Sequence, residues 1–316
     1  MINKSQPVIA IVGSTCTGKT RLSLELGVKL GTEIIACDSR TVYKGMDIGT
    51  AKPTPEERAL VPHHMLDVID PTQTFTTAQF KEQATPLVEN LIENERKPIV
   101  CGGTGFYFRN LLEGLQIPAV EPQTELRKVL NDFADQNGNL ALHKRLQELD
   151  AVSAERINAN DRFRVVRALE VTMYSGKPFS QLTARIEPPF NVIWIGLYCQ
   201  ERAILSKMIK ERIAQQIEQG LVSEVQSLYR HYGRCRSFLH TVGYEEIIRY
   251  IDGKTTIQES IDLIALHTYQ LARKQLLWFR SNKKIIWFAI DQLPFQQIVA
   301  KSLECVEGEH SEHLYS

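Results

Sequence analysis

The stretch GSTCTGKT at residues 13–20 follows directly on the apolar run Val8, Ile9, Ala10, Ile11 and Val12 and matches the pattern G-x-x-x-x-G-K-[ST]. Such a loop works only where a strand delivers it and a helix starts behind it. Glycine lets the loop turn tightly enough for its amides to point inward at a diphosphate, Lys19 reaches phosphate oxygens, and the Thr20 hydroxyl can hold magnesium. Nucleotide kinases and NTPases are the commonest users of this arrangement.

The runs at 33–37 (EIIAC), 98–101 (PIVC), 192–198 (VIWIGLY) and 285–290 (IIWFAI) read as further buried parallel strands. Between the second and third strands, apolar residues at Phe80, Ala84, Leu87, Val88, Leu91 and Ile92 recur at helical spacing. Thr76 with Gln79 supplies a capping box at the start of that helix. Strands alternating with helices predict an α/β fold, a doubly wound parallel sheet of the P-loop NTPase type flanked by helices. Residues 115–190 break the rhythm: QIPAVEPQ opens the segment, RIEPPF closes it, and helix-like stretches lie between. The expected organisation is therefore a catalytic core of 1–114 and 191–316 with a helical insertion domain at 115–190.

Lysine plus arginine equals aspartate plus glutamate at 37 each, so no overall charge excess advertises nucleic acid or membrane as partner. Any polyanion must be met by local clusters. Arg164 and Arg167 stand one helical turn apart in DRFRVVR and could address one phosphate backbone. From Arg202 to Arg236 there are seven basic residues against three acidic ones, and from Leu263 to Ile290 five against none. Solvated helix faces also produce such runs, but three clusters with Phe163, Trp278 and Phe279 nearby tilt toward RNA.

Cys16, Cys37, Cys101, Cys199, Cys235 and Cys305 form no C-x-x-C pair, which argues against a zinc site and a thioredoxin-like motif and for reduced thiols. The amino-terminal stretch MINKSQPVIAIVG reads as an entry into a strand, not a signal peptide. No apolar stretch approaches the roughly 18 residues of a membrane span. A soluble, cytoplasmic protein is expected.

Asp38 emerges at the carboxyl edge of the second strand, beside the phosphate loop, where open α/β sheets bind ligands. It could order a magnesium-bound water, act as general base toward an acceptor, or cap the next turn. After the third strand, Gly102 and Gly103 let backbone approach a ligand, or merely make a tight turn, and the Thr104 hydroxyl would face the same cleft.

The sequence DSRTVYKGMDIGTAKP, placed after a phosphate loop, resembles the tRNA dimethylallyltransferase (tRNA isopentenyltransferase) family. The similarity continues through GGTGFYFRNLLEGL, NDRFRVVRALEV with SGKP, KERI, TVGYEE and ARKQLLWFR, from residue 8 to about residue 290. The resemblance implies transfer of a dimethylallyl group from dimethylallyl diphosphate to the exocyclic amine of adenosine 37 in tRNAs that read codons beginning with U. It turns the phosphate loop, Gly13, Ser14, Thr15, Cys16, Thr17, Gly18, Lys19 and Thr20, into the holder of a departing diphosphate, with Mg2+ on Thr20. Asp38 becomes the base, with Thr104 beside it and Arg212 of KERI joining Lys19 on the diphosphate. Family resemblance places Asp38, Ser39, Arg40, Thr41, Thr104, Arg127, Phe163, Arg164, Val165, Val166, Arg167, His240, Thr241, Val242, Gly243, Tyr244 and Glu245 along the tRNA. The helical insertion would clasp the anticodon stem-loop. Departures from the family pattern fall at Ser14, Arg40, Thr41 and His240. The zinc-finger extension of eukaryotic members is missing, so a bacterial-type enzyme acting as a monomer, without membrane partners, is expected. A small-molecule kinase using ATP is the alternative enzyme.

Overall fold

The computed structural model describes residues 6–118, 120–183 and 186–308. Ala119 and Arg185, in the two proline-bearing flanks, lie outside these residues, as do the first five residues of the amino-terminal stretch. Among the described residues, six parallel strands form one sheet in the order β3-β2-β4-β1-β5-β6. They are β1 (Val8–Gly13), β2 (Ile34–Ala36), β3 (His63–His64), β4 (Ile99–Cys101), β5 (Val192–Tyr198) and β6 (Ile285–Ala289). The expected parallel α/β sheet is what forms, since runs apolar on both sides can be buried only between helices.

β3 was not expected from the sequence. Two residues cannot display an alternation, and the strand exists because Ile34 and Ile35 pair with His63 and His64.

Helix α1 (Lys19–Leu30) begins behind the left-handed Gly18 and ends at the left-handed Gly31. Helix α2 (Pro55–Leu60) precedes β3, and α3 (Thr77–Glu93) carries the expected Thr76–Gln79 capping box. Helix α4 (Gly105–Leu112) follows β4. One core cluster joins Ile9 and Ile11 of β1 to Leu22 and Leu26 of α1 and to Ile298 and Val299 near the carboxyl terminus.

The chain separates into two compact units, one running to Leu111 and resuming at Phe190, the other Leu112–Pro189. The named elements that lie wholly within the second unit, among the described residues, are helices: α5 (Thr124–Asn137), α6 (Asn139–Leu149), α7 (Ala151–Arg156), α8 (Arg162–Ser175) and α9 (Phe179–Leu182). Its core is Leu130, Leu142, Leu146, Val165 and Leu169. In the first unit, α10 (Arg202–Glu218), α11 (Leu221–Tyr232), α12 (Arg236–Leu239), α13 (Tyr244–Ile251) and α14 (Ile257–Phe279) follow β5, and α15 (Phe295–Glu307) follows β6. A second core cluster in this unit packs Ile209, Ile213, Val225, Tyr244, Ile247 and Ile264 together. Among the described residues no helix is long and apolar enough to cross a membrane.

Candidate active site

The phosphate loop leaves β1 at Gly13, whose φ of 138° and position against β5 both demand glycine: a Cβ there would lie 2.1 Å from the Leu197 carbonyl oxygen. Ser14 is buried and its Oγ donates to the Ala272 carbonyl of α14 at 3.1 Å, which ties the loop to the long helix. Thr17 Oγ1 and Lys19 Nζ both donate to the Ser14 carbonyl, at 2.8 and 2.5 Å. Cys16 adopts the left-handed region at φ 65°, uncommon for a residue with a side chain and typical of strained functional loops. Burial lowers the pKa of the Lys19 ammonium, opposed by Cys101 and Asp38, with Arg212 lowering it further. Thr20 sits half-buried in the first turn of α1.

Asp38, just past β2, accepts the Arg40 amide on Oδ1 at 2.8 Å, which is the turn-capping contact open to an aspartate here. That contact uses one carboxylate oxygen. Thr104, just past β4, accepts the Ser39 amide at 2.9 Å and reaches the Ser39 hydroxyl at 3.3 Å, so the Asp38 turn is tied to the Thr104 turn. The Gly102 position admits no side chain, because a Cβ would stand 2.1 Å from the Cys37 carbonyl oxygen. The three loops at the carboxyl ends of β1, β2 and β4 therefore meet at one edge of the sheet, at the switch point where open α/β sheets bind ligands.

Arg212 of α10 reaches the same loop, with Nη1 3.5 Å from Thr15 Oγ1 and 3.8 Å from Cys16 Sγ. Beside Ser14, a cleft of about 190 Å3 gathers Arg202, Arg273 and Arg280 with Tyr198 and Tyr269. The two basic runs of the carboxyl half thus supply arginines to one place, with the Arg202 guanidinium 5.2 Å from the Tyr269 ring centre.

The segment DIGTAKP is held by Lys52 and Glu224, which the sequence does not single out. Lys52 is buried, and its ammonium donates to the Tyr43 carbonyl at 2.5 Å, Asp67 at 2.6 Å and Asp47 at 2.7 Å. Glu224 of α11 accepts the consecutive amides of Asp47, Ile48 and Gly49 at 3.0, 2.7 and 3.1 Å, and the Tyr244 hydroxyl at 2.5 Å. Burial and the Glu224 charge push the Tyr244 phenol pKa well above its usual value, so it remains a donor. These contacts explain why an otherwise irregular loop after Asp38 holds one shape.

The residues expected along tRNA divide by environment. Phe163 is 72% exposed, and the Arg164 side chain is 63% exposed with an i−3 ion pair to Asp161 at 3.3 Å. Val165 and Val166, in contrast, are core residues of the helical unit, placed inward by the same helical period that turns Phe163 and Arg164 outward. Arg167 is engaged by groups of its own unit. Its guanidinium donates to Glu170 at 2.6 Å and to the Val120 carbonyl at 2.9 Å. Arg127 donates to the two oxygens of the same buried carboxylate at 2.7 and 2.9 Å. Glu170 also accepts the Gln123 amide at 2.6 Å and is fully enclosed. Among the carboxyl-terminal residues of the set, His240 is exposed, while Val242 and Glu245 are half-buried. Thr241 is buried against the Ser237 carbonyl, Gly243 takes φ 98°, and Tyr244 lies in the core. Ser39 and Arg40 are half-buried near Asp38, and Thr41 is buried.

A family model described as IPP transferase matches residues 41–282. The tRNA dimethylallyltransferase of Nostoc punctiforme is 43% identical over 281 residues, covering 89% of this chain and 91% of its own. That of Thermomicrobium roseum is 41% identical, covering 92% of this chain and 88% of its own. The crystal structure of the full-length tRNA isopentenylpyrophosphate transferase from Bacillus halodurans superposes with a TM-score of 0.70 at 36% identity, over 97% of this chain and all of that one. With a phosphate loop, an acidic turn and an arginine converging at one sheet edge, and relatives matching nearly end to end, the chain belongs to the IPP transferase family.

Proposed function

We propose that this chain transfers a dimethylallyl group from dimethylallyl diphosphate to N6 of adenosine 37 in tRNAs reading codons that begin with U. The observation that carries the reading is the meeting of an acidic turn, Asp38 tied to Thr104, with a cationic diphosphate cradle of Lys19 and Arg212. In the reaction a C–N bond forms at N6 as the allylic C–O bond breaks. The diphosphate leaves with the bonding electron pair, and the N6 proton passes to the Asp38 carboxylate.

An aryl amine is a poor nucleophile because its lone pair is delocalised into the ring, which is why a base beside it matters. As the C–O bond stretches, charge grows on the diphosphate, where the loop amides, Lys19 and Arg212 stabilise it most. The adenine must leave the stack of the anticodon loop to reach such a cleft. Exposed Phe163 and Arg164 of the helical unit suit stacking and backbone contact with the stem-loop. Phosphoryl transfer from ATP would use the same loop, but it gives no role to a tRNA-sized acceptor and finds no support among the named relatives.

Among the described residues no group of three or more His, Cys, Asp or Glu could hold a metal ion. Mg2+ needs none, since it commonly binds through one or two protein oxygens, substrate phosphates and water. The Thr20 hydroxyl next to Lys19 fits that use. Magnesium held there would neutralise charge on the departing diphosphate.

Purified protein incubated with labelled dimethylallyl diphosphate and unmodified tRNA, without ATP, is expected to put label into the tRNA. ATP turnover with unlabelled tRNA would refute the reading. Arg164→Ala is expected to weaken tRNA binding and to reduce its salt slope by about 1, because one phosphate contact releases roughly one counterion. Affinity for inorganic diphosphate should not change. Equal tRNA affinity of variant and parent at several salt concentrations would remove Arg164 from the interface.

A further inference from the structure

Gln275 lies on α14 in the run ARKQLLWFR, within a basic stretch, and carries no charge itself. Its Oε1 accepts the Thr15 amide of the phosphate loop at 2.7 Å, while its Nε2 donates to the Gly103 carbonyl at 3.2 Å. The loops after β1 and β4 are thus bridged by one planar carboxamide. Reversing that group would set N–H against N–H and C=O against C=O, so the network itself fixes its orientation.

The surroundings of Gln275 are built to hold it. One turn earlier on the same helix face, the Ala272 carbonyl accepts the Ser14 hydroxyl. One turn later, the Trp278 ring fills the space over Gly105, where a Cβ would stand 2.0 Å from the indole. Between them, a Cβ on Gly103 would stand 2.2 Å from Gln275 Nε2 and 3.7 Å from Asp38 Oδ2. The glutamine amide and the Asp38 carboxylate oxygen not used in the turn therefore flank the same glycine. Three residues at a spacing of three, 272, 275 and 278, seat the helix on both loops.

We propose that Gln275 is a positioning residue for the transfer reaction: it sets the distance from the diphosphate cradle to the Asp38–Thr104 turn and occupies the Thr15 amide, so that the leaving group is taken by the loop amides that follow. The proposal rests on the reading of the loop as a diphosphate site. Its chemical consequence is alignment. The allylic carbon is delivered by the loop after β1, the base by the turn after β2, and that turn is tied through Thr104 to the loop after β4. Slack in this side-chain bridge from the first loop to the third misplaces the carbon relative to the amine. Displacements near 1 Å can cost about 100-fold in rate.

The test uses the full chain and two variants, assayed with labelled dimethylallyl diphosphate and tRNA beside the parent protein. Gln275→Met keeps length and volume but removes donor and acceptor, and is expected to lower kcat about 10- to 100-fold with tRNA affinity and Tm near those of the parent. Gln275→Glu keeps the acceptor for Thr15 but adds a negative charge at the cradle, and is expected to raise KM for dimethylallyl diphosphate and Kd for inorganic diphosphate at least about tenfold. This split between kcat and KM would not arise from a packing role. If Gln275→Met lowers Tm enough to compromise the assay, the diphosphate affinity of Gln275→Glu decides. A Met variant with kcat and KM within about twofold of the parent, or a Glu variant with unchanged diphosphate affinity, overturns the proposal. An inactive parent protein would instead overturn the reading of the reaction.

Discussion

Asp38→Asn is expected to lower the rate of dimethylallyl transfer by about 10²- to 10⁴-fold, the range over which a positioned general base contributes. The amide keeps an oxygen to accept the Arg40 N–H, so the turn that Asp38 caps at 2.8 Å survives the change. What is lost is an oxygen able to take the N6 proton. Single-turnover transfer with labelled dimethylallyl diphosphate measures the effect, and retention of tRNA on a filter checks that binding is intact. Asp38→Ala removes both base and turn, so its difference from Asp38→Asn reports the structural part alone. Near-normal turnover in the Asn variant would reduce Asp38 to a turn cap.

Glu170→Ala is expected to destabilise the helical unit by about 3 kcal/mol, the low end of the cost of breaking a buried ion pair. The low end applies because Arg127 and Arg167, which the change leaves unpaired, keep 27% and 22% of their side-chain surface exposed and can be hydrated. Amide hydrogen exchange in α5 and α8 of the full chain should accelerate about 100-fold, while the strands of the sheet keep their protection. Exchange within threefold or so of the parent would show that the Arg127–Glu170–Arg167 cluster contributes little net stability.

The same cluster carries a pH dependence. Burial raises the Glu170 pKa, but the hydrogen bonds from Arg127, Arg167 and the Gln123 amide outweigh it, and the net shift is downward. A carboxyl depressed in the folded state contributes stability that is present above its unfolded pKa and lost as pH falls through its folded pKa. The protection of α5 and α8 should therefore hold at neutral pH and fall only on the acid side of the ordinary carboxylate range. In Glu170→Gln that dependence should flatten.

Much of the fold could be read along the chain because its signals are local. Five of the six strands are runs of apolar residues, α3 announces itself by Phe80, Ala84, Val88 and a Thr76–Gln79 cap, and the phosphate loop is a contiguous pattern. The site was legible where the resemblance ran through contiguous motifs, which is how Arg212 could be assigned to the loop before its guanidinium was located near Thr15. What could not be read was direction and commitment. NDRFRVVR offers two arginines at i, i+3, and only the packing of α8 shows that Arg164 faces water while Arg167 is spent on Glu170. Glu224 and Gln275 are invisible for the same reason: each joins segments distant in sequence, Gln275 across 260 residues to Thr15 and Glu224 across 177 to Asp47.

By itself, then, the sequence determined that a strand, a glycine loop and a helix would form a phosphate loop, with an aspartate emerging nearby, because backbone period and glycine freedom act over a few residues. Only the tertiary structure decided how that aspartate is held and which arginine of α8 faces water. It also decided which neutral glutamine joins the phosphate loop to the loop after β4. Those outcomes depend on hydrogen bonds and exclusion between side chains brought together by the whole fold, and no local pattern encodes them.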